Sequence, residues 1–382
     1  MPAHEIARGL AQRLPGASSQ HALVLTGVRR CGKSVLQAQL LRTHPGALYV
    51  NAEDTRLYGI TPEDFPSLLE VVAELAGDRA VFLDEIQEFP EWPRLVRALL
   101  DRGHPLCVTG SNASLLHREM GAKLTGRHRS FEVFPFSYPE YLSYRGTEAG
   151  PVSLQGYLDE GGFPGHLRER DPRILQQLLR DIVERDIAQR HQLREARHVM
   201  NLALFLLANT GQPLSYQSLT KALAIPSVSQ TSDYVGFLED AYLLFAVPKF
   251  SASFKKRVVA PKKYYAVDNG LRVVNSPSLT PDLGRRLENA VYLALRQRGL
   301  QPSYAGEKDA WECDFLTDEW AIQVCASLTP ANQARELEGL RQACALPGRR
   351  KPLIVTLDQT DRLSAGGMKI KVVPAWRWLD AK

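Results

Sequence analysis

The run Gly27-Val28-Arg29-Arg30-Cys31-Gly32-Lys33-Ser34 has the spacing GxxxxGK[ST], and each residue type in it has a chemical reason. A loop that wraps a triphosphate must turn its backbone N–H groups inward, and glycines let it turn that tightly. Lys33 is then the charge that reaches the β and γ oxygens, and the Ser34 hydroxyl is a ligand for Mg²⁺. The expected contact surface runs through Gly27, Val28, Arg29, Arg30, Cys31, Gly32, Lys33, Ser34 and Val35. Downstream, Asp84 and Glu85 follow the apolar run Ala80-Val81-Phe82-Leu83. Asp84 is placed to hold the metal, and Glu85 to orient and deprotonate an attacking water. The chemistry these residues predict is hydrolysis of ATP with Mg²⁺.

The elements that must position them are readable nearby. Ala22 to Thr26 reads as a buried strand entering the loop, and Ser34 to Arg42 as a helix leaving it, its N-terminus favouring anions. Ala47 to Asn51 reads as a further strand, and Ala80 to Leu83 as a buried one. A strand over Leu106 to Thr109 delivers Gly110, Ser111 and Asn112 to the same sheet edge. Asn112, with Ser111 beside it, is a candidate sensor of the γ-phosphate; a plain Gly-Ser-Asn turn is the other reading. Arg127 precedes the strand Ser130 to Phe134. It is a candidate arginine finger for a neighbouring subunit's γ-phosphate, with Arg129 as the substitute and a solvated arginine as the alternative.

Composition narrows the class. The 382 residues are 44% hydrophobic and 23% charged, with a net charge of +5, which is ordinary for globular proteins and compatible with nucleic acid. Five scattered cysteines show no metal-type pairing and read as reduced thiols of a cytoplasmic protein. No apolar run approaches the ~18 residues of a membrane span, and no secretion leader is recognisable.

Alternating strands and helices over residues 1–150 predict an α/β domain with a mainly parallel sheet. Residues 151–195 read as a helical connector, with one long helix from Arg173 to Arg194. Over 196–270 three helices (199–208, 215–223, 228–241) and two strands (242–247, 262–267) predict a winged helix. Between Lys249 and Lys263 stand Lys249, Lys255, Lys256, Arg257, Lys262 and Lys263, without an acid. Such a basic wing loop suits a DNA backbone, although a wing serving only protein contacts would look similar. Residues 271–382 form another α/β unit, with a helix carrying Glu288, then strands carrying Glu312, Asp314 and Gln323 to Cys325. A metal nuclease of this build needs an Asp and then [DE]xK. Here Asp314 is followed by Gln323-x-Cys325, so the expectation is a nuclease-like fold that does not cut.

These residues together resemble a family of prokaryotic AAA+-like P-loop ATPases that carry a C-terminal winged-helix and restriction-endonuclease-like (PD-(D/E)xK-type) region. The matching segments are GVRRCGKS (27–34), VFLDEIQ (81–87), VTGSN (108–112), LTGR (124–127), VFPFSYPEYL (133–142), YLDEGGFP (157–164), ERDI (184–187), KKYYAVDNG (262–270) and WECDF (311–315). The resemblance implies a sheet ordered 5-1-4-3-2. It also implies an acid and a lysine at positions 323 and 325, which this chain lacks. The expected function is a DNA motor that remodels or unwinds branched or forked duplexes as a homo-oligomer, a hexamer, away from membranes. The alternative is an ATP-dependent switch that binds protein partners in signalling or defence.

Overall fold

The computed structural model describes residues 6–111, 126–193, 195–276 and 282–381. The chain folds as two compact units: Met1–Phe134 with Asp240–Tyr242, and Pro135–Glu239 with Leu243–Lys382. The first unit thus ends at Phe134, earlier than residue 150. Beyond that point the Phe136 N–H bonds to the Gly162 carbonyl and the Tyr138 ring packs on Tyr157, which fastens the segment within the second unit.

The first unit is a five-stranded parallel sheet. Its strands are β1 (Ala22–Thr26), β2 (Leu48–Asn51), β3 (Val81–Asp84), β4 (Leu106–Gly110) and β5 (His128–Glu132), in the order β2-β3-β4-β1-β5. Read from the other edge, this is 5-1-4-3-2. β1, β3 and β4 are buried along their whole length, which is why they read as continuous apolar runs without alternation. Helix α1 (Lys33–Leu41) follows the first loop; α2 (Phe65–Ala76) and α3 (Trp92–Asp101) pack Leu69, Val72, Trp92, Leu95 and Leu99 against Val81, Leu83, Leu106 and Val108. Parallel register sets Asn51 beside Asp84, and Thr26 beside both Gly110 and Glu132. The polar strand ends therefore collect at one edge, where open α/β sheets bind ligands.

In the second unit the helix Pro172–Asp181 continues as a π-helical stretch, Ile182–Gln189. Its buried residues explain the widening. Leu178, Leu179, Ile182 and Val183 are followed by Ile187 and Ala188, a step of five that a 3.6-residue turn would rotate away from the core. The helices Arg197–Ala208, Tyr216–Leu223 and Val228–Asp240 precede a small antiparallel sheet of β6 (Pro213–Leu214), β8 (Lys262–Ala266) and β7 (Leu244–Val247). The basic segment is not one loop, because Phe254–Val259 is helical and capped by the Ser253 side chain, which accepts from the Lys256 N–H.

The chain ends in a six-stranded sheet ordered β13-β14-β12-β11-β10-β9, from β9 (Ser303–Glu307), β10 (Trp311–Leu316), β11 (Trp320–Val324), β12 (Lys351–Thr356), β13 (Asp361–Ala365) and β14 (Met368–Pro374). The helix Gln333–Ala345 covers it through Leu340 and Ala343. The hairpin β13–β14 and the helix Ala375–Asp380 carry little signal in the sequence. Alternate exposed lysines in MKIKVV (368–373) break up its apolar pattern.

Candidate active site

The loop after β1 is shaped by two glycines with positive φ. Gly27 has φ 147°, and a Cβ there would lie 2.1 Å from the Val133 carbonyl oxygen. Gly32 has φ 104°, and its Cβ would meet the Arg8 guanidinium at 2.7 Å. The Val133 backbone excludes a side chain at Gly27, and the positive φ strains one at Gly32. Arg8 is itself buried and donates to the Cys31 and Phe134 carbonyls at 2.8 and 2.5 Å. It pins the loop from an N-terminal arm whose sequence gives no sign of the role. Gln37, buried on α1, bridges the Leu83 and Cys107 carbonyls of β3 and β4. Burial pushes the Cys31 thiol up, against the charges of Lys33 and Arg8, so it stays a neutral packing group.

Lys33 is 4% exposed and folds back over its own loop. Its Nζ donates to the Gly27 and Val28 carbonyls at 3.2 and 3.3 Å and lies 3.7 Å from Glu85. Ser34 and Val35 are exposed at the start of α1. The Ser34 hydroxyl donates to Asp84 Oδ1 at 3.2 Å, and a hydroxyl paired with a carboxylate is a hard-oxygen set that suits Mg²⁺. The Asp84 carboxylate also accepts from the Thr109 hydroxyl and, on its other oxygen at 2.8 Å, from Tyr49. Burial and the bond to Asp84 push the Tyr49 phenol up, so it remains a donor.

Glu85 sits at φ 49°, ψ 48°, left-handed backbone that a non-glycine residue adopts at a cost of order 1–3 kcal/mol. The twist turns it off the end of β3. The Thr109 hydroxyl accepts the Glu85 N–H at 2.9 Å, and the Gln87 amide donates to Glu85 Oε2 at 2.6 Å. Thr109, Tyr49, Gln87 and Arg8 are the positioning residues that motif spacing did not single out. Tyr49 and Thr109 stand on the strands flanking β3, and that flanking position is the only signal they carry. Asn112 lies outside the described residues; Ser111 is buried at the end of β4.

Residues 19–142 match the family model of the AAA domain. The chain carries an AAA-type P-loop ATPase domain. Residues 152–277 match a second model, described as a domain of unknown function (DUF8612). Over nearly its whole length the chain is similar to an uncharacterized protein of Methanocaldococcus jannaschii, at 28% identity over 395 residues, 93% of this chain and 87% of that protein. It is also similar to an uncharacterized protein of Haemophilus influenzae, at 28% over 377 residues, 92% of this chain and 93% of the other. The Walker-type ATPase of Pyrococcus abyssi aligns with 16% identity and a TM-score of 0.45, covering 66% of this chain and 90% of that one.

In the AAA domain the remaining site residues are placed apart. Arg127 precedes β5, and its carbonyl accepts the Ala22 N–H at the start of β1. The phosphate loop leaves the far end of β1, about 13 Å along the strand. The Arg127 guanidinium pairs with Asp101 of α3 at 2.5 Å. Arg129, on β5, is exposed. Of the expected DNA contacts, Lys255, Lys256 and Arg257 are exposed, and Lys249 and Lys262 are half-buried. Lys263 corrects the expectation. It is 1% exposed, and its Nζ lies 3.2, 2.8 and 3.0 Å from Glu288, Glu312 and Asp314. The alternation along β8 turns it inward while Lys262 faces Tyr216, so three carboxylates already hold its charge and it has none to offer a phosphate backbone. Among the described residues no helix is long and apolar enough to cross a membrane.

Proposed function

We propose that this chain is a Mg²⁺-dependent ATP-hydrolysing motor that acts on DNA, remodelling or unwinding branched or forked duplexes as a hexameric ring of identical subunits. The observation that carries the reading is the gathering of Lys33, Ser34, Asp84 and Glu85 at one sheet edge, with Arg127 at the opposite end of β1 and β5. A site with base and phosphate-binding lysine at one end, and a candidate finger at the other, is completed by stacking copies in a ring.

The loop amides cradle the triphosphate, and Lys33 exchanges two neutral carbonyls for the β and γ oxygens. Ser34 and Asp84 would hold Mg²⁺, which when bound neutralises phosphate charge. Glu85, released from Lys33 by the nucleotide, takes the proton of the attacking water. Thr109 and Gln87 keep its backbone and carboxylate oriented. Arg127 leaves Asp101 to meet the γ-phosphate of the neighbouring subunit. Lys255, Lys256 and Arg257 supply phosphate contacts on DNA.

The second reading is an ATP-gated switch that binds protein partners. Val258 and Val259, 55% and 72% exposed beside the basic residues, favour it, because bare valines suit a protein surface better than a phosphate backbone. ATP turnover with and without forked DNA separates the two. Stimulation of about tenfold, or ~1.4 kcal/mol on the barrier, supports the motor. Absence of DNA binding at every salt concentration leaves the switch.

A further inference from the structure

The C-terminal sheet holds a charge cluster that the ATPase reading does not use. Glu288 comes from the helix Leu283–Gln297, Glu312 and Asp314 from β10, and Lys263 from β8, at least 25 positions away in sequence. The Lys263 ammonium lies 2.8 to 3.2 Å from all three carboxylates and donates hydrogen bonds to Glu288 and Asp314. The Tyr265 hydroxyl donates to Glu288 at 2.6 Å, and the Val324 N–H to Asp314 Oδ2 at 2.9 Å. Asp314 and Glu288 are 8% and 13% exposed and Glu312 is 43% exposed, so only one of the three has water to share its charge.

A nuclease-like sheet of this kind implies a divalent metal, and the residues present do not fit one. Gln323 stands where a second acid is needed, and its amide donates to Glu336 at 2.6 Å. Cys325 stands where the lysine is needed, and burial pushes its thiol up to about 12, so it brings no charge. Among the described residues no group of three or more His, Cys, Asp or Glu is placed to hold a metal ion. The point between the carboxylates is taken by the ammonium.

We propose that Lys263 is the resident cation of this centre, standing where a divalent metal would stand and clasping β8 to β10 and the helix Leu283–Gln297 in a unit that does not cut nucleic acid. The geometry meets what such a clasp requires. A buried ammonium is tolerated only when fully paired, and Lys263 donates to Glu288 and Asp314 and forms an ion pair with Glu312. Burial alone would drive the ammonium down, yet Glu288, Tyr265, Asp314 and Glu312 together hold it well above its ordinary value. The lysine that position 325 lacks is thus not restored as a free catalytic group. It is consumed in the ion cluster.

Thermal unfolding of the full chain in buffer and with millimolar Mn²⁺ tests this, beside a plasmid-nicking assay. Wild type and Asp314→Asn should show the same Mn²⁺ shift, no more than the Ser34–Asp84 pair supplies, and neither should nick. Lys263→Ala should melt roughly 10 °C lower, as loss of one partner in a buried pair predicts. Mn²⁺ should raise its melting point with the logarithm of concentration, and Asp314→Asn added to Lys263→Ala should cancel that response. Should Lys263→Ala fail to fold, Lys263→Met with Glu288→Gln removes one carboxylate together with the ammonium and should fold while keeping a weaker Mn²⁺ response through Glu312 and Asp314. Mn²⁺-dependent nicking by wild type that Asp314→Asn abolishes would overturn the proposal, and so would a Lys263→Ala protein as stable as wild type and indifferent to Mn²⁺.

Discussion

Two buried lysines face carboxylates in this protein, and they are held in opposite ways. Lys33 rests on two neutral carbonyls at 3.2 and 3.3 Å, with Glu85 at 3.7 Å. Lys263 rests on three carboxylates at 2.8 to 3.2 Å. Burial is nearly equal, 4% against 1% exposed, so burial does not distinguish a working lysine from a structural one. The difference lies in what a ligand would have to displace. A triphosphate offers Lys33 more charge than it gives up, whereas nothing on offer improves on the partners of Lys263.

The largest expected effect sharpens that contrast. Lys33→Ala should abolish ATP binding, read by a fluorescent nucleotide, while leaving the melting point nearly unchanged. Lys263→Ala should do the reverse, with ~3–5 kcal/mol lost from stability. If both variants lose stability equally, the two lysines are not different in kind.

Arg127 belongs to the same comparison, because its pairing with Asp101 has an exposed partner and is readily exchanged. Arg127→Ala should bind ATP and lose turnover by up to ~10³–10⁵. Mixing it with Lys33→Ala should recover part of the rate, since each subunit supplies what the other lacks. Mixed oligomers that stay inactive would deny the finger a role across subunits, and Arg129→Ala would then be the variant to assay.

Glu85→Gln keeps the loop and its lysine intact and removes only the proton acceptor. Nucleotide should still bind, with hydrolysis slowed by roughly 10²–10⁴ in single-turnover assays. A wild-type rate would place the base elsewhere.

On the structural side, burial raises the Glu288 carboxyl from 4.5 to about 7. The folded chain then keeps this proton to higher pH than the unfolded chain does. On this group's account stability is full below about pH 4.5 and falls as pH rises toward 7, by up to ~1.4 kcal/mol per unit. Glu288→Gln cannot titrate and should flatten that part of the stability curve in urea titrations. An unaltered slope would assign the titration to another group.

The smallest effect concerns the exposed basic residues. If about four of the remaining cations touch phosphates, log affinity for DNA should fall against log salt with a slope near −3.6. Replacing Lys255, Lys256 and Arg257 by alanine should flatten it by roughly 2–3 units, nearly independently of sequence. An unchanged slope would move DNA away from this segment.

Much of the ATPase site was legible because its parts are contiguous or end a recognisable strand. The loop from Gly27 to Ser34 carries its own turn chemistry, and Asp84 and Glu85 close an apolar run, so spacing alone brought them into view. The supporting residues were not legible. Tyr49, Thr109, Gln37 and Arg8 are ordinary residue types whose roles come from the strand or loop they face. The basic segment misled for a related reason. Six positive residues without an acid look like one surface, but five of them fall on a helix and on a strand, and a strand sends neighbours to opposite sides.

What the sequence by itself determined is therefore local. It set the phosphate loop, the acids at the end of β3, the strands buried on both faces, and the missing acid and lysine at positions 323 and 325, because backbone conformation, burial pattern and residue chemistry are properties of short segments. Only the tertiary structure decided which charge meets which. Lys263 finds Glu288, Glu312 and Asp314 across 25, 49 and 51 positions, and no spacing rule connects residues so far apart. An ion pair depends on the distance in space that packing imposes, and in a low-dielectric interior that distance turned an apparent DNA contact into an internal cation.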